Sequence, residues 1–231
     1  MIERLKDPAD RAKLKRDIEA GIDGWYNHYT AVGRDWSRML ISANNRYKGM
    51  TMDRVIADRH AGRTPPPDPL EILFDALIEE RGSVSTVYAH HTEEDMNLAI
   101  VQPWCSIGSD GSALSVAGPL RRGNPHPRNF GTFPRVFGEY VRQRGLLRLE
   151  DAVRKMTSLN AAKIGLRFRG QLREGFFADI TLFDHDCVLD LATYSEPFQY
   201  NEGIAYVVVN GQIVLDHTQH TGARPGRALR R

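Results

Sequence analysis

Between residue 1 and about residue 168, apolar positions fall into short helix-spaced runs broken by brief β-branched stretches. From about Arg169 they alternate between turn signals. The first helix is announced by Asp7 as N-cap, Pro8 at the first position, Asp10 near the positive end and Gly21 as a stop. Its large apolar residues Leu14 and Ile18 are spaced i,i+4, which predicts a surface helix with a narrow buried stripe. The aromatic stretch "GWYNHYTAVGRDW" has no clear period. "RMLISA" reads as a short strand and "TMDRVIADRHAG" as a helix starting at Thr51.

The prolines of "RTPPPDP" interrupt the pattern. A second entry signal follows, with Asp68 capping, Pro69 in first position and Glu71 completing a box-like Asp-x-x-Glu. It opens the apolar helix "LEILFDALIEE", which Gly82 ends. "SVSTVYAH" then reads as a strand, "TEEDMNLAI" as a helix and "WCSIGS" as a strand. Helix, strand, helix and strand with short joins predict β/α units carrying a parallel sheet, hence an α/β fold. A long Gly/Pro-rich loop runs from Gly111 to Pro134, and two helices follow, "RVFGEYVRQRG" and "LRLEDAVRKMTSLNAAKIG". The last 60 or so residues are mainly β, with Asn210-Gly211 marking a tight hairpin.

The 231 residues suffice for one large domain, or for a domain with an appendage. With 41% hydrophobic and 26% charged residues, the chain reads as globular rather than disordered. The net charge of +2 is spread along the chain, so no nucleic-acid footprint is expected, and the basic tail "GARPGRALRR" reads as a solvated terminus. No apolar run approaches the length of a membrane span, and the charged amino terminus is unlike a signal peptide. Cys105 and Cys187 have no CxxC spacing, which favours a reducing cytoplasm.

Candidate chemistry concentrates around "WCSIGSDGSA". Asp110 would lie just past the carboxyl end of a strand, where β/α folds place their reactive groups. Gly108, Ser109 and Gly111 would leave room for a ligand, or would equally serve a capped turn. His90 and His91 end the preceding predicted strand and would reach the same sheet edge, at most one of them facing the site, as a candidate metal ligand or proton carrier or simply as a hydrogen-bonded loop histidine. In "PHPRNFGTFPR", Arg128 stands among rigid residues, which leaves two readings open: a fixed guanidinium that recognises a carboxylate, or a surface arginine paired with a nearby acid. His126 beside it is open to a structural or a substrate-binding role. His217 and His220 of "HTQH" read as solvated, and "DHD" at Asp184 to Asp186 as a turn.

Seven segments, "YKGMT", "HHTEEDM", "PWCSIGSDGS", "HPRNFGTFPRVFGEYVR", "LEDAVRKMTSLNAAKIGL", "GFFADITLFD" and "YNEGIAYVVVNGQIV", taken in this order, resemble the carboxyl-terminal half of the N-acyl-D-amino-acid deacylases (D-aminoacylases) of the amidohydrolase superfamily. The resemblance implies a metal-dependent (β/α)8 barrel joined to a small β-sandwich. It implies hydrolysis of an N-acyl-D-amino acid to a carboxylate and a free D-amino acid. Asp110 would then be the aspartate that touches the zinc site, acts as base on zinc-bound water and passes the proton to the leaving amine. Arg128 would grip the substrate's α-carboxylate, with His126 beside it.

The same resemblance divides the chain into a helical insertion (1–64), the last two β/α units of the barrel (65–168) and a β-sandwich segment (169–231). It also exposes a departure. The family's His-x-His pair, its bridging cysteine and two further histidines lie on earlier strands, and this chain contains no His-x-His. Zinc is therefore expected in a complete enzyme and not on this chain alone. The partners this leaves open are an amino-terminal half or a homo-oligomer, although a homodimer would add a second Asp110 and still no His-x-His; neither nucleic acid nor membrane is expected. The alternative is a non-catalytic remnant or binding module that lacks the metal site.

Overall fold

A computed structural model describes residues 1–42 and 46–229, which form two compact units, Met1–Thr92 and Glu93–Arg231. In the amino-terminal unit, α1 (Ile2–Lys6) leads into α2 (Pro8–Ala20). The Asp7 carboxylate accepts from the amides of Ala9 and Asp10 at 2.7 and 3.1 Å, as its cap signal predicts, and such a cap stabilises a helix by about 1 kcal/mol. α5 (Pro69–Glu79) is entered in the same way, the Leu70 amide donating to Asp68 at 2.8 Å. Glu71 does not close a capping box. It pairs with Arg11 and with Lys15 at 2.6 Å, while Arg11 also reaches Asp75 at 2.6 Å. These pairs fasten α2 to α5, and Leu14 and Ile18 pack beside buried Leu70 and Phe74.

The short α3 (His28–Ala31) precedes β1 (Met39–Ile41), and α4 (Met52–His60) follows it. β1 pairs with β2 (Thr86–Tyr88), Met39 standing opposite Tyr88 and Ile41 opposite Thr86. That pairing is antiparallel, not the parallel arrangement read from the helix–strand alternation. Val32, Ile41, Val55 and Ile72 make the dry centre of this unit. Ala43, the end of the "RMLISA" reading, lies outside the described residues.

The carboxyl-terminal unit begins with α6 (Glu93–Ile100). Residues 104–109, read as a strand, belong to no sheet among the described residues: Trp104 closes a turn, and the residues after it are in neither helix nor strand. Their backbone groups are bonded instead by the helices that follow. Lys155 donates to the carbonyls of Gln102 and, at 3.1 Å, Cys105. Lys163 donates to Trp104 at 2.6 Å, Asn160 to Ile107 at 2.7 Å, and the Ile107 amide to Lys155 O at 3.1 Å. Lys155 is only 1% exposed, and these carbonyls are what its buried ammonium requires.

Two further departures concern the helices. α7 (Arg128–Arg135) starts seven residues earlier than the proline pattern suggests, with Pro134 inside it, and runs into wider π-helical turns at Val136–Gln143. Proline removes one amide donor from the helical ladder, and the widened turns follow at once. "LRLEDAVRKMTSLNAAKIG" forms two helices, α8 (Leu149–Met156) and α9 (Ser158–Ile164), broken at Thr157. The Thr157 hydroxyl donates back to the Val153 carbonyl at 2.7 Å.

The β-rich end is a four-stranded antiparallel sheet of β3 (Ile180–Phe183), β4 (Ile204–Val209), β5 (Gln212–Asp216) and β6 (Gln219–His220), in that order. Asn210 and Gly211 turn β4 into β5 with φ of 48° and 80°, the double left-handed turn that Asn-Gly favours. The basic tail is less free than its composition suggests. The Pro225 carbonyl accepts from Asn210 at 2.7 Å, and the Arg227 guanidinium sits 4.6 Å from the Phe177 ring centre. Arg230 and Arg231 lie outside the described residues. Helices and sheets together make this an α/β protein, and no described helix is long and apolar enough to cross a membrane.

Candidate active-site loop

Segment 104–109 leads directly into Asp110. The aspartate itself adopts the left-handed conformation, with φ of 48°; the neighbouring glycines do not. Aspartate tolerates that region better than most side chains. Gly111 serves a different purpose, because a Cβ there would come within 3.2 Å of the Asn129 backbone. The loop after Asp110 and the first turn of α7 thus approach closely, and the Ser112 amide donates to Asn129 Oδ1 at 2.6 Å.

Arg128, the first residue of α7, closes this junction. Its Nη2 lies 2.7 Å from Asp110 Oδ2, and its Nε donates to the Asp110 carbonyl at 3.1 Å. One guanidinium therefore holds both the side chain and the backbone of Asp110. The pair faces solvent, with the Asp110 side chain 85% and that of Arg128 43% exposed. An ion pair so placed contributes little to stability, at most about 1 kcal/mol.

His126 braces Arg128 from the preceding turn. Its Nδ1 accepts from the Arg128 amide at 3.0 Å, and its carbonyl accepts from the Asn129 side chain at 2.8 Å. Its ring meets Tyr194 edge-on, with centres 5.0 Å apart. Although the residue lies at the surface, partial screening of the ring from water, followed by the Arg128 charge, holds its pKa below the usual 6.5. The unfolded chain therefore takes up this proton first on acidification. The contribution to stability is full above pH 6.5 and is lost as pH falls through the depressed folded value. Protonation also abolishes the acceptor that Arg128 uses. In an NMR titration the His126 ring is expected to have its midpoint below 6.5, and a midpoint at or above 6.5 would remove the Nδ1 acceptor from this description.

Three residues that sequence reading did not single out complete the junction. Asn129 bonds both neighbouring loops. Asp190 packs against Gly131, where a Cβ would stand 2.9 Å from its own, and lies 3.4 Å from Arg135. Tyr194 packs edge-on to His126 and accepts from Asn124 at 3.3 Å through its carbonyl. The only sequence signal for them is the pair of glycines, Gly111 and Gly131, that permit the close approaches.

The remaining candidates fall elsewhere. His90 and His91 follow β2, which pairs with β1 and not with segment 104–109, so the shared sheet edge expected for them is not formed among the described residues. His217 and His220 are exposed, and His217 Nδ1 pairs with Asp216 at 2.8 Å. Asp184 to Asp186 form the turn after β3. Among the described residues, no three His, Cys, Asp or Glu side chains are grouped to hold a metal ion. Zinc sites recruit three or four protein ligands, and Asp110 is already engaged by Arg128. The described residues around Asp110 do not, by themselves, fit a zinc site.

Residues 87–215 match the family model described as an amidohydrolase family. The N-acyl-D-glutamate deacylase of Alcaligenes xylosoxydans xylosoxydans is 41% identical over 98% of this chain and 45% of its own length. The D-aminoacylase of the same organism is 38% identical over 79% of this chain and 34% of its own. Among solved structures, the N-acyl-D-glutamate deacylase of Bordetella bronchiseptica superposes with a TM-score of 0.67 at 29% identity, covering 96% of this chain and 46% of that one. That structure holds zinc and a phosphonate inhibitor that mimics the tetrahedral intermediate. The chain belongs to the amidohydrolase family, and it spans less than half the length of each of these relatives.

Proposed function

We propose that this chain is the part of an N-acyl-D-amino-acid deacylase that carries its proton-transferring aspartate and its carboxylate-gripping arginine. The remaining metal ligands would come from polypeptide outside these 231 residues. One observation carries the reading: Arg128 is preformed as a carboxylate clamp, fixed by His126 and already closed on Asp110. A substrate α-carboxylate would replace the Asp110 carboxylate on the guanidinium, leaving Asp110 to hold a proton during amide cleavage. Zinc, where the whole site is assembled, supplies an acidified water and a polarised carbonyl. His126 positions Arg128 through the amide bond already described.

On this reading residues 65–168 are the last two β/α units of a (β/α)8 barrel, 1–64 a helical insertion and 169–231 a β-sandwich segment. Support comes from segment 104–109, which joins no sheet among the described residues, and from Trp104 and Leu98, each 68% exposed. Both would be covered by further barrel strands. The unpaired thiols of Cys105 and Cys187 suit a reducing cytoplasm. The self-paired Asp110 and Arg128 favour a second reading, a non-catalytic module that binds carboxylates or a partner chain.

Co-expression with the portion of the Alcaligenes N-acyl-D-glutamate deacylase that this chain does not cover separates the two readings. Zinc-dependent hydrolysis of N-acyl-D-amino acids is expected only when both polypeptides are present. A soluble, zinc-loaded assembly that stays inert toward a panel of N-acyl-D-amino acids would overturn the deacylase reading and leave the binding module.

A further inference from the structure

The amino-terminal unit holds a pair of imidazoles that the deacylase reading does not use. His28 Nδ1 and His90 Nε2 lie 3.2 Å apart, with their rings 8° from parallel and centres 5.2 Å apart. The pair is braced. His28 stacks on Tyr88 at 4.5 Å, and the Tyr26 ring stands edge-on to both histidines at 5.0 and 5.7 Å. His28 opens α3, whose Asn27 cap accepts from the Thr30 amide at 3.3 Å and is itself tied to the Ile18 carbonyl at 2.6 Å.

We propose that His28 and His90 form a two-imidazole site for a borderline divalent transition-metal ion, with Cu(II) bound most tightly. Metal–imidazole bonds of about 2.0–2.1 Å place adjacent ligand nitrogens roughly 2.9 Å apart in a square plane and roughly 3.3 Å apart in a tetrahedron. The observed separation lies within that span, so modest ring rotations bring both lone pairs onto one ion. In the metal-free pair, one ring donates its N–H to the other. On binding, the donor ring takes its other tautomer, so no net proton is released from a neutral pair.

The surroundings keep the pair available. Burial, then the charges of His28, His91 and Arg38, hold the His90 pKa below 6.5, so its nitrogen stays unprotonated at neutral pH. No third His, Cys, Asp or Glu is grouped with the pair among the described residues, which leaves the remaining coordination positions to water. The order of affinities follows the general rise of divalent binding to imidazole up to Cu(II). The site stands or falls independently of any hydrolase activity.

Titration of the 231-residue chain with CuCl2 at pH 7.5, in a buffer that does not bind copper, tests the site. Paramagnetic broadening is expected to remove the ring signals of His28 and His90 first, together with those of the neighbouring His91, at less than one equivalent and before those of His217 and His220. His28→Asn and His90→Gln are each expected to weaken binding at least tenfold, while His91→Gln changes it less than twofold. Broadening that begins at other histidines overturns the proposal, and so does unchanged affinity in either variant. The wild-type broadening needs no substitution, so a variant that folds poorly does not decide the matter.

Discussion

Replacing Gly203 with alanine is expected to destabilise the carboxyl-terminal unit by about 4 kcal/mol, the sum of a strained backbone and an overpacked contact. Gly203 has φ of 78°, and a Cβ there would stand 2.5 Å from both the amide nitrogen and the Cα of Val188. Those are backbone atoms of a fully buried residue, so no rotamer change relieves the contact. Gly203 O also accepts from the Asp184 amide at 2.8 Å, which ties down the long connection between β3 and β4. That connection brings Asp190, Tyr194 and Tyr200 onto the start of α7 and its preceding loop, Tyr194 against His126 and the Tyr200 hydroxyl 3.3 Å from that of Ser115.

The same substitution therefore loosens the brace on Arg128 as well as the sheet. Gly175→Ala is the control, since Gly175 has φ of 80° but nothing within 4 Å of the place its methyl group would take. It should cost about 1 kcal/mol, the backbone strain alone. Denaturant midpoints of the two variants measure the difference directly. Equal losses would mean that the Val188 contact relaxes and that the connection is not held as described.

How much of this was legible depended on how local each cause was. Asp7 and Asp68 cap their helices through the two or three residues that follow, and Asn210-Gly211 turns within its own dipeptide, so short patterns suffice. Segment 104–109 has a strand's local pattern, but a strand also needs a neighbour, and its carbonyls are taken by Lys155, Asn160 and Lys163 about fifty residues on. Nothing within "WCSIGS" announces those partners. Pro134 reads as the end of the loop, just before a helix, because its missing amide is a local fact. The widened turns that accommodate it depend on the packing of Val136 and Tyr140 against Ile100 and Leu147.

The site divides in the same way. Asp110 and Arg128 could each be chosen from their flanking residues, but nothing in either segment says that they touch. Asn129, Asp190 and Tyr194 carry no motif at all; only the glycines that make room for them do. His28 lay in an aromatic stretch without period, and its relation to His90 exists only once β1 and β2 have paired.

In the assembled enzyme, Asp110→Asn should lower kcat by about 10³-fold with KM changed only a few-fold, because a general acid–base group contributes roughly 10²–10⁴. The structure separates this loss from a loss of fold. Asparagine keeps the backbone carbonyl that accepts from Arg128 Nε at 3.1 Å, so the guanidinium retains one of its two tethers on residue 110. The ion pair that is lost is largely exposed and contributes little to stability. The thermal midpoint should therefore stay within a degree or two while turnover collapses.

Arg128→Met should behave differently, raising KM and lowering kcat/KM by about 10²-fold, since a charge-assisted clamp on a carboxylate is removed. Arg128→Lys restores charge without the planar fork and should recover only part of that loss. Steady-state kinetics on a single N-acyl-D-amino acid distinguish the two residues. If Asp110→Asn acts mainly on KM, the residue belongs to substrate binding and the proton must be carried elsewhere. If Arg128→Met leaves KM unchanged, its only partner is Asp110 and the clamp is a structural tie.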